Sequence, residues 1–221
     1  MKMKKIFIPA YVEVSQEIFQ NLIEQNIERL PEKIGLVWVV QHEKDIDFVK
    51  HCLENAGKSV IKCGSILGCD VGCAETVADR VDAFLYVGSG RFHPIGVFLN
   101  TGKRVFVLNP IGKSFYVIDE NNESVRDFER KRIAAVKRFY ASDVVGIITS
   151  IKPGQCRIEE AEKMKEKVEA MGKKAYLFIG DEISEIEKEN FPFIQSWINC
   201  ACPRLSDFRS DMINLAELEK L

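Results

Sequence analysis

One pattern is written into this chain twice, and it restricts the fold more than any other feature. Lys33 to Val40 (KIGLVWVV) is an unbroken apolar run of strand length. Glu43 to Ala56 follows with Ile46, Phe48, Val49, Cys52 and Leu53 at helical spacing. Gly57-Lys58 stops that helix and Ser59 to Cys63 opens another short strand. After a loop, Val81 to Val87 (VDAFLYV) runs into the glycine turn GSGRFHP. Downstream the order recurs. Val144 to Ser150 (VVGIITS) ends in KPGQC, Ile158 to Ala170 is an amphipathic helix stopped by Gly172-Lys173, and Ala175 to Ile179 is the next strand. Phe193 to Asn199 (FIQSWIN) then runs into CACPR. Corresponding pieces lie roughly 110 residues apart, the length of one small α/β domain.

Strand–helix–strand alternation with continuous apolar strands predicts parallel sheets covered on both faces. The fold class is therefore α/β: two repeated small doubly wound units with mainly parallel sheets and a cleft between them. The first unit is read as residues 1–118. A charged helix, Glu123 to Tyr140, bridges into the second, and helix and unit together make up residues 119–221. Arg126, Lys131, Arg132, Lys137 and Arg138 on that helix read as an ordinary solvated face.

The start, MKMKKIFIPAYVEV, is basic and then apolar, as in a signal peptide. Its apolar stretch is short, holds Pro9 and turns acidic at Glu13, so a first buried strand is expected there. No apolar run approaches the roughly 20 residues of a membrane span. The 31 basic and 33 acidic residues leave a net charge of −2 and no basic excess for nucleic acid. A cytoplasmic protein with no nucleic-acid or membrane partner is expected. The seven cysteines are odd in number, and in a reducing compartment they do not form a disulfide framework. Cys52 and Cys63 read as small core hydrophobes. Cys69, Cys73, Cys156, Cys200 and Cys202 sit beside glycines, prolines or loop signals, where metal ligands and reactive thiols occur.

Ligands in open parallel sheets bind beyond the carboxyl ends of the strands. That rule selects Gly64 to Cys73, Gly88 to Pro94, Lys152 to Cys156, Gly180 to Glu182 and Cys200 to Arg204. In GSILGCDVGC, Cys69 and Cys73 are spaced i, i+4 and share a face if the segment is helical. That spacing fits metal ligation and also plain small-residue packing. In CACPR, proline directly follows Cys202, as at many iron–sulfur ligands. A closed zinc site would call for paired CxxC units or nearby histidines, and the sequence has neither. An incomplete set of soft thiolates suits an iron–sulfur cluster with one open iron better. The amides of Gly88, Ser89 and Gly90 with the Arg91 guanidinium suit a phosphate or carboxylate, and His93 is either a base or structural. Pro153, Gly154 and Gln155 form a turn. Asp181 and Glu182 place carboxylates at the same edge, suited to an amine or hydroxyl, or cap a helix over Ile183 to Glu189.

Taken together, LGC, VDAFLYVGSGRFHPIGVFLNTGKRVFVLNP, TSIKPGQCR, GDEI and NCACPR closely resemble the archaeal diphthamide synthase family, in order and over nearly the whole chain. These are the 2-(3-amino-3-carboxypropyl)histidine synthases. The resemblance implies three repeated α/β domains, each donating one cysteine to a 4Fe-4S cluster whose open iron binds S-adenosylmethionine. Cleavage of a C–S bond then gives a 3-amino-3-carboxypropyl radical that adds to a histidine of elongation factor two. It further implies an electron donor and a homodimer, or a heterodimer with another family member. By position the resemblance assigns Cys69 and Cys202 as cluster ligands. It also sets Gly88, Ser89, Gly90, Arg91, His93, Pro153, Gly154, Gln155, Asp181 and Glu182 near cluster and cofactor. IFIPAYVEV resembles the opening of the family's second domain, so the first domain and its cysteine are expected to be missing. Two readings then stay open. In one, Cys73 is the third ligand, with Cys200 and Cys156 behind it; in the other, the chain is a non-catalytic partner subunit.

Overall fold

A computed structural model describes residues 10–152, 154–181, 190–206 and 209–218. The chain divides into two compact units, Met1–Val125 and Arg126–Leu221. In the first, β1 (Lys33–Trp38), β2 (Ser59–Ser65), β3 (Ala83–Val87), β4 (Val105–Asn109) and β5 (Ser114–Ile118) form one sheet in the order β2-β1-β3-β4-β5. The first four are parallel and β5 is antiparallel at the edge. Side chains alternate across a strand, so Ile34, Leu36 and Trp38 reach one face and Val37 the other. The helices Gln16–Glu24 (α1) and Ile46–Asn55 (α2) cover the first face with Phe19, Ile23, Val49 and Leu53. The helices Gly72–Glu75 (α3) and Phe92–Thr101 (α4) cover the second with Ala74, Val97 and Phe98.

In the second unit β6 (Val144–Ser150), β7 (Lys174–Gly180), β8 (Ser196–Asn199) and β9 (Met212–Asn214) are all parallel, in the order β7-β6-β8-β9. The helices Glu123–Ala141 (α5) and Ile158–Ala170 (α6) cover one face through Ala135, Phe139, Ala161, Met164 and Val168. Ile148, Ile194, Trp197 and Met212 make a smaller cluster on the other. The order of β7-β6-β8-β9 is that of β2-β1-β3-β4, so the α/β class with mainly parallel sheets read from the sequence holds for both units.

The repeat extends to one packing device. Gly35 on β1 pairs with Phe84 on β3, and Gly146 on β6 pairs with Trp197 on β8. A Cβ on Gly35 would lie 2.6 Å from two ring carbons of Phe84, and a Cβ on Gly146 would collide with the ring of Trp197. In each unit, then, an aromatic ring lies across an inner strand where only a glycine admits it.

Several expectations are corrected. Residues 10–14, read as part of a buried strand, are mostly exposed and irregular, and the rest of that segment lies outside the described residues. Phe92, His93 and Pro94 are not turn residues but the first turn of α4, with Arg91 at its N-cap. The strand read over Phe193 to Asn199 begins only at Ser196, because Pro192 and Phe193 precede it in a turn. The helix read over Ile183 to Glu189 lies outside the described residues.

Gly35→Ala and Gly146→Ala should each destabilise the protein by about 1–3 kcal/mol, the usual cost of overpacking. Gly35→Ala with Phe84→Leu should recover part of that loss, measured as the shift of the urea midpoint at constant slope.

Candidate functional site

The carboxyl ends of the parallel strands carry the loops that the sequence singles out. In the first unit β2 leads into a tight turn closed by a Leu67–Asp70 bridge, with Cys69 exposed in it between Gly68 and Asp70. The Asp70 carboxylate accepts from the Gly72 amide at 2.9 Å and starts α3. Cys69 and Cys73 therefore do not share a helical face as their spacing suggests, since α3 begins only at Gly72. Cys73 packs against the apolar cluster beneath the turn. A Cβ on Gly64 would lie 3.2 Å from the Cys73 Cβ, at a φ of +149° that disfavours side chains. Burial, then the nearby Asp70, pushes the Cys73 thiol up. Cys63 lies in the same cluster, its thiol pushed up to about 12 by burial and then by Cys73.

Beside this turn, β3 delivers Gly88, Ser89, Gly90 and Arg91. Ser89, Gly90 and Arg91 are exposed, whereas His93 is half-buried. The loop rests on two tyrosines that sequence reasoning passed over. The Tyr116 hydroxyl donates to the Gly90 carbonyl at 3.0 Å. The hydroxyl of fully buried Tyr86 lies 3.2 Å from the Ser89 carbonyl oxygen and 3.3 Å from His93 Nδ1. Burial raises the pKa of both phenols, and the charge of Arg91 partly offsets this at Tyr116. His42, just beyond β1, is also buried, 3.7 Å from Asp45. Burial lowers its pKa against the pull of Asp45, so it is neutral at pH 7.

In the second unit Cys202 is half-buried just beyond β8, and its carbonyl accepts from Asn199 Nδ2 at 2.7 Å. The same amide donates to Asn214 Oδ1 at 2.7 Å, while its oxygen accepts from the Ala201 amide at 2.9 Å. Asn199 and Asn214 are register partners on β8 and β9 and both are buried. Polar residues closing two apolar strands, FIQSWIN and MIN, were the available signal for this pair. Cys200 is buried in the core and Cys156 is exposed. The Gln155 amide donates to the Lys152 carbonyl at 3.0 Å, closing the turn around Gly154. The Ser150 hydroxyl donates to the Asp181 carbonyl at 3.2 Å and joins that turn to the end of β7. Pro153 and Glu182 lie outside the described residues. Among the described residues no three or more His, Cys, Asp or Glu side chains stand together as a metal-binding group.

A soft iron–sulfur cluster needs thiolates that approach it without breaking a core. Cys69, exposed in a turn, and Cys202, half-buried with its loop held by Asn199, meet that requirement. Cys73 meets it poorly, since burial disfavours its thiolate.

The family model of diphthamide synthesis proteins matches residues 1–219. The chain belongs to this family. Among diphthamide synthesis proteins it is 31% identical over 216 residues to the 2-(3-amino-3-carboxypropyl)histidine synthase of Pyrococcus horikoshii, covering 93% of this chain and 60% of that one. It is 29% identical to the enzyme of the same name from Methanocaldococcus jannaschii, covering 92% of this chain and 56% of that one. The crystal structure of Dph2 from Pyrococcus horikoshii with a 4Fe-4S cluster superposes with a TM-score of 0.82 at 30% identity, covering 95% of this chain and 63% of that one. The chain thus spans somewhat under two thirds of these relatives. No helix among the described residues is long and apolar enough to cross a membrane.

Asn199→Ala removes two donated bonds at once and leaves Asn214 Oδ1 buried without that donor. Stability should fall by about 1–3 kcal/mol. Alkylation of Cys202 by a thiol reagent should accelerate several-fold while Cys69 reacts as before, as read by mass spectrometry of digests.

Proposed function

We propose that this protein is an iron–sulfur, S-adenosylmethionine-dependent 3-amino-3-carboxypropyl transferase acting on a histidine of elongation factor two or a related acceptor. The observation that carries this reading is the likeness over nearly the whole chain to Dph2, whose crystal structure holds a 4Fe-4S cluster. The exposed Cys69 turn and the Asn199-braced Cys202 loop support it, one at the carboxyl edge of each sheet. A bound 4Fe-4S cluster supplies the electron that breaks a C–S bond of S-adenosylmethionine and releases the 3-amino-3-carboxypropyl radical.

The protein's own part is binding and orientation. Cys69 and Cys202 hold the cluster. The third thiolate is Cys73 after repacking of its turn, or belongs to a partner chain in a homodimer or heterodimer. Gly88, Ser89 and Gly90 supply backbone amides, and Arg91 supplies a cation for the carboxylate of the donor. Gly154, Gln155 and Asp181 line the corresponding edge of the second sheet, with Pro153 and Glu182 as their neighbours in sequence. A separate electron donor reduces the cluster.

A second reading is a non-catalytic subunit that binds or reduces a longer family member. The packing of Cys73 in the apolar cluster beneath its turn, where burial raises its thiol pKa, favours it.

Anaerobic reconstitution with iron and sulfide, then dithionite and S-adenosylmethionine, separates the two. The enzyme releases methylthioadenosine, at a rate at least tenfold lower for Cys69→Ala and Cys202→Ala. A protein that gains the cluster but releases none alone, and does so only beside a longer family member, is the subunit.

A further inference from the structure

A loop that offers a charged side chain to a ligand must keep its own backbone from turning, and between Gly88 and Arg91 the weak point is Gly90. Its φ is +78°, and a Cβ built there would meet nothing within 4 Å, so no packing against the residue itself restrains it. The backbone angles of a residue relate the two flat peptide planes on either side of it. Fixing both planes therefore fixes the residue. At Gly90 each plane is held by a tyrosine. The Tyr86 hydroxyl donates to the Ser89 carbonyl, in the plane before Gly90, at 3.2 Å. The Tyr116 hydroxyl donates to the Gly90 carbonyl, in the plane after it, at 3.0 Å.

Sheet register explains why two tyrosines reach neighbouring carbonyls. Tyr86 on β3 and Tyr116 on the antiparallel edge strand β5 both pair with Val107 on β4. Cross-strand partners share a face, so Tyr86, Val107 and Tyr116 form one row against the same apolar cluster. Burial raises the pKa of both phenols, and each keeps at neutral pH the proton it donates. The residue after this joint is Arg91. Its own carbonyl accepts from the Ile95 amide at 3.1 Å, within the first turn of α4. Both peptide planes at Arg91 are thus held as well, and only its side-chain torsions stay free. The guanidinium is close enough for its charge to be felt at the Tyr116 phenol.

Glycine takes either sign of φ about equally well, so without the Tyr116 bond the Gly90–Arg91 peptide can rotate and carry Arg91 with it. We propose that Tyr116 is a positioning residue that locks the Gly90 joint and so holds Arg91 in place for the carboxylate of the aminocarboxypropyl donor. A guanidinium fork grips a carboxylate through two parallel hydrogen bonds, which demands one orientation of its planar group. A joint left loose must be ordered by the ligand itself, and affinity falls by that cost. The carboxylate half of this inference rests on the function proposed above. The joint half rests on the tyrosine row alone.

Two readouts test the halves separately. In the nitrogen-15-labelled full chain, the amide order parameters of Gly90 and Arg91 should sit at about 0.85 and fall toward about 0.6 in Tyr116→Phe. Adding Gly90→Asn, which has room for its side chain and tolerates a left-handed backbone, should restore part of the rigidity. The reconstituted protein should bind S-adenosylmethionine about five- to tenfold more weakly as Tyr116→Phe. Tyr116→Phe combined with Arg91→Gln should lose no more than Arg91→Gln alone. Decarboxylated S-adenosylmethionine, which lacks only the carboxylate, should bind all of these variants alike. Order parameters unchanged in Tyr116→Phe, or already low in the unaltered protein, overturn the lock. Equal loss of both ligands in Tyr116→Phe marks general damage to the loop and overturns the proposal, as does no loss of either. If the unaltered protein binds the two ligands equally, the carboxylate half fails. If it binds neither, the functional reading fails with that half, and the order parameters alone decide the joint.

Discussion

Each unit is organised by an aromatic ring laid across the backbone of an inner strand of its sheet. Phe84 crosses β1 at Gly35 and Trp197 crosses β6 at Gly146. A side chain at either glycine would push the neighbouring strand away or slide it along. A slip of one residue would turn every core side chain to the opposite face. The register thus set fixes which residue is last in each strand, and hence where Gly88, Cys69 and Cys202 leave the sheets. Two neighbouring contacts depend on it directly: Tyr86, two residues after Phe84, reaches the Ser89 turn, and Asn199, two residues after Trp197, braces Cys202. The same spacing, from the aromatic ring to the polar residue beneath the loop, appears in both units.

The parts of the architecture that the sequence displays are those with a one-dimensional signature. Apolar runs marked β1, β3 and β6 because buried parallel strands face protein on both sides. Helical spacing and a closing glycine marked α2 and α6. Other elements had no such mark. In GSGRFHP, Phe92 and His93 read as turn residues, because a glycine run and a proline hide the start of α4. Proline at position three of α4 is compatible with a first turn, whose amides have no intrahelical partner. The alternation in IFIPAYVEV suggests a strand, yet residues 10–14 have no place in the sheet.

The site was legible in the same partial way. Strand-end loops and their cysteines can be located from sequence, since the carboxyl-edge rule needs only strand order along the chain. What lies under the loops cannot be, because Tyr86 and Asn199 sit inside apolar runs and acquire their roles from partners brought near by the fold. The spacing of Cys69 and Cys73 misleads for a related reason. Four residues mean one helical turn only where there is a helix, and the helix starts at Gly72. Half-buried beside Gly64, Cys73 packs as the small hydrophobe that most cysteines are.

The function proposed for this protein makes Cys69 and Cys202 ligands of an iron–sulfur cluster with one open iron. Electron paramagnetic resonance of the reconstituted, dithionite-reduced protein tests it most directly. The unaltered protein should give the signal of a reduced 4Fe-4S cluster that shifts on adding S-adenosylmethionine, and both Cys69→Ala and Cys202→Ala should abolish the signal. An undiminished signal in either variant, or one indifferent to S-adenosylmethionine, would contradict the account.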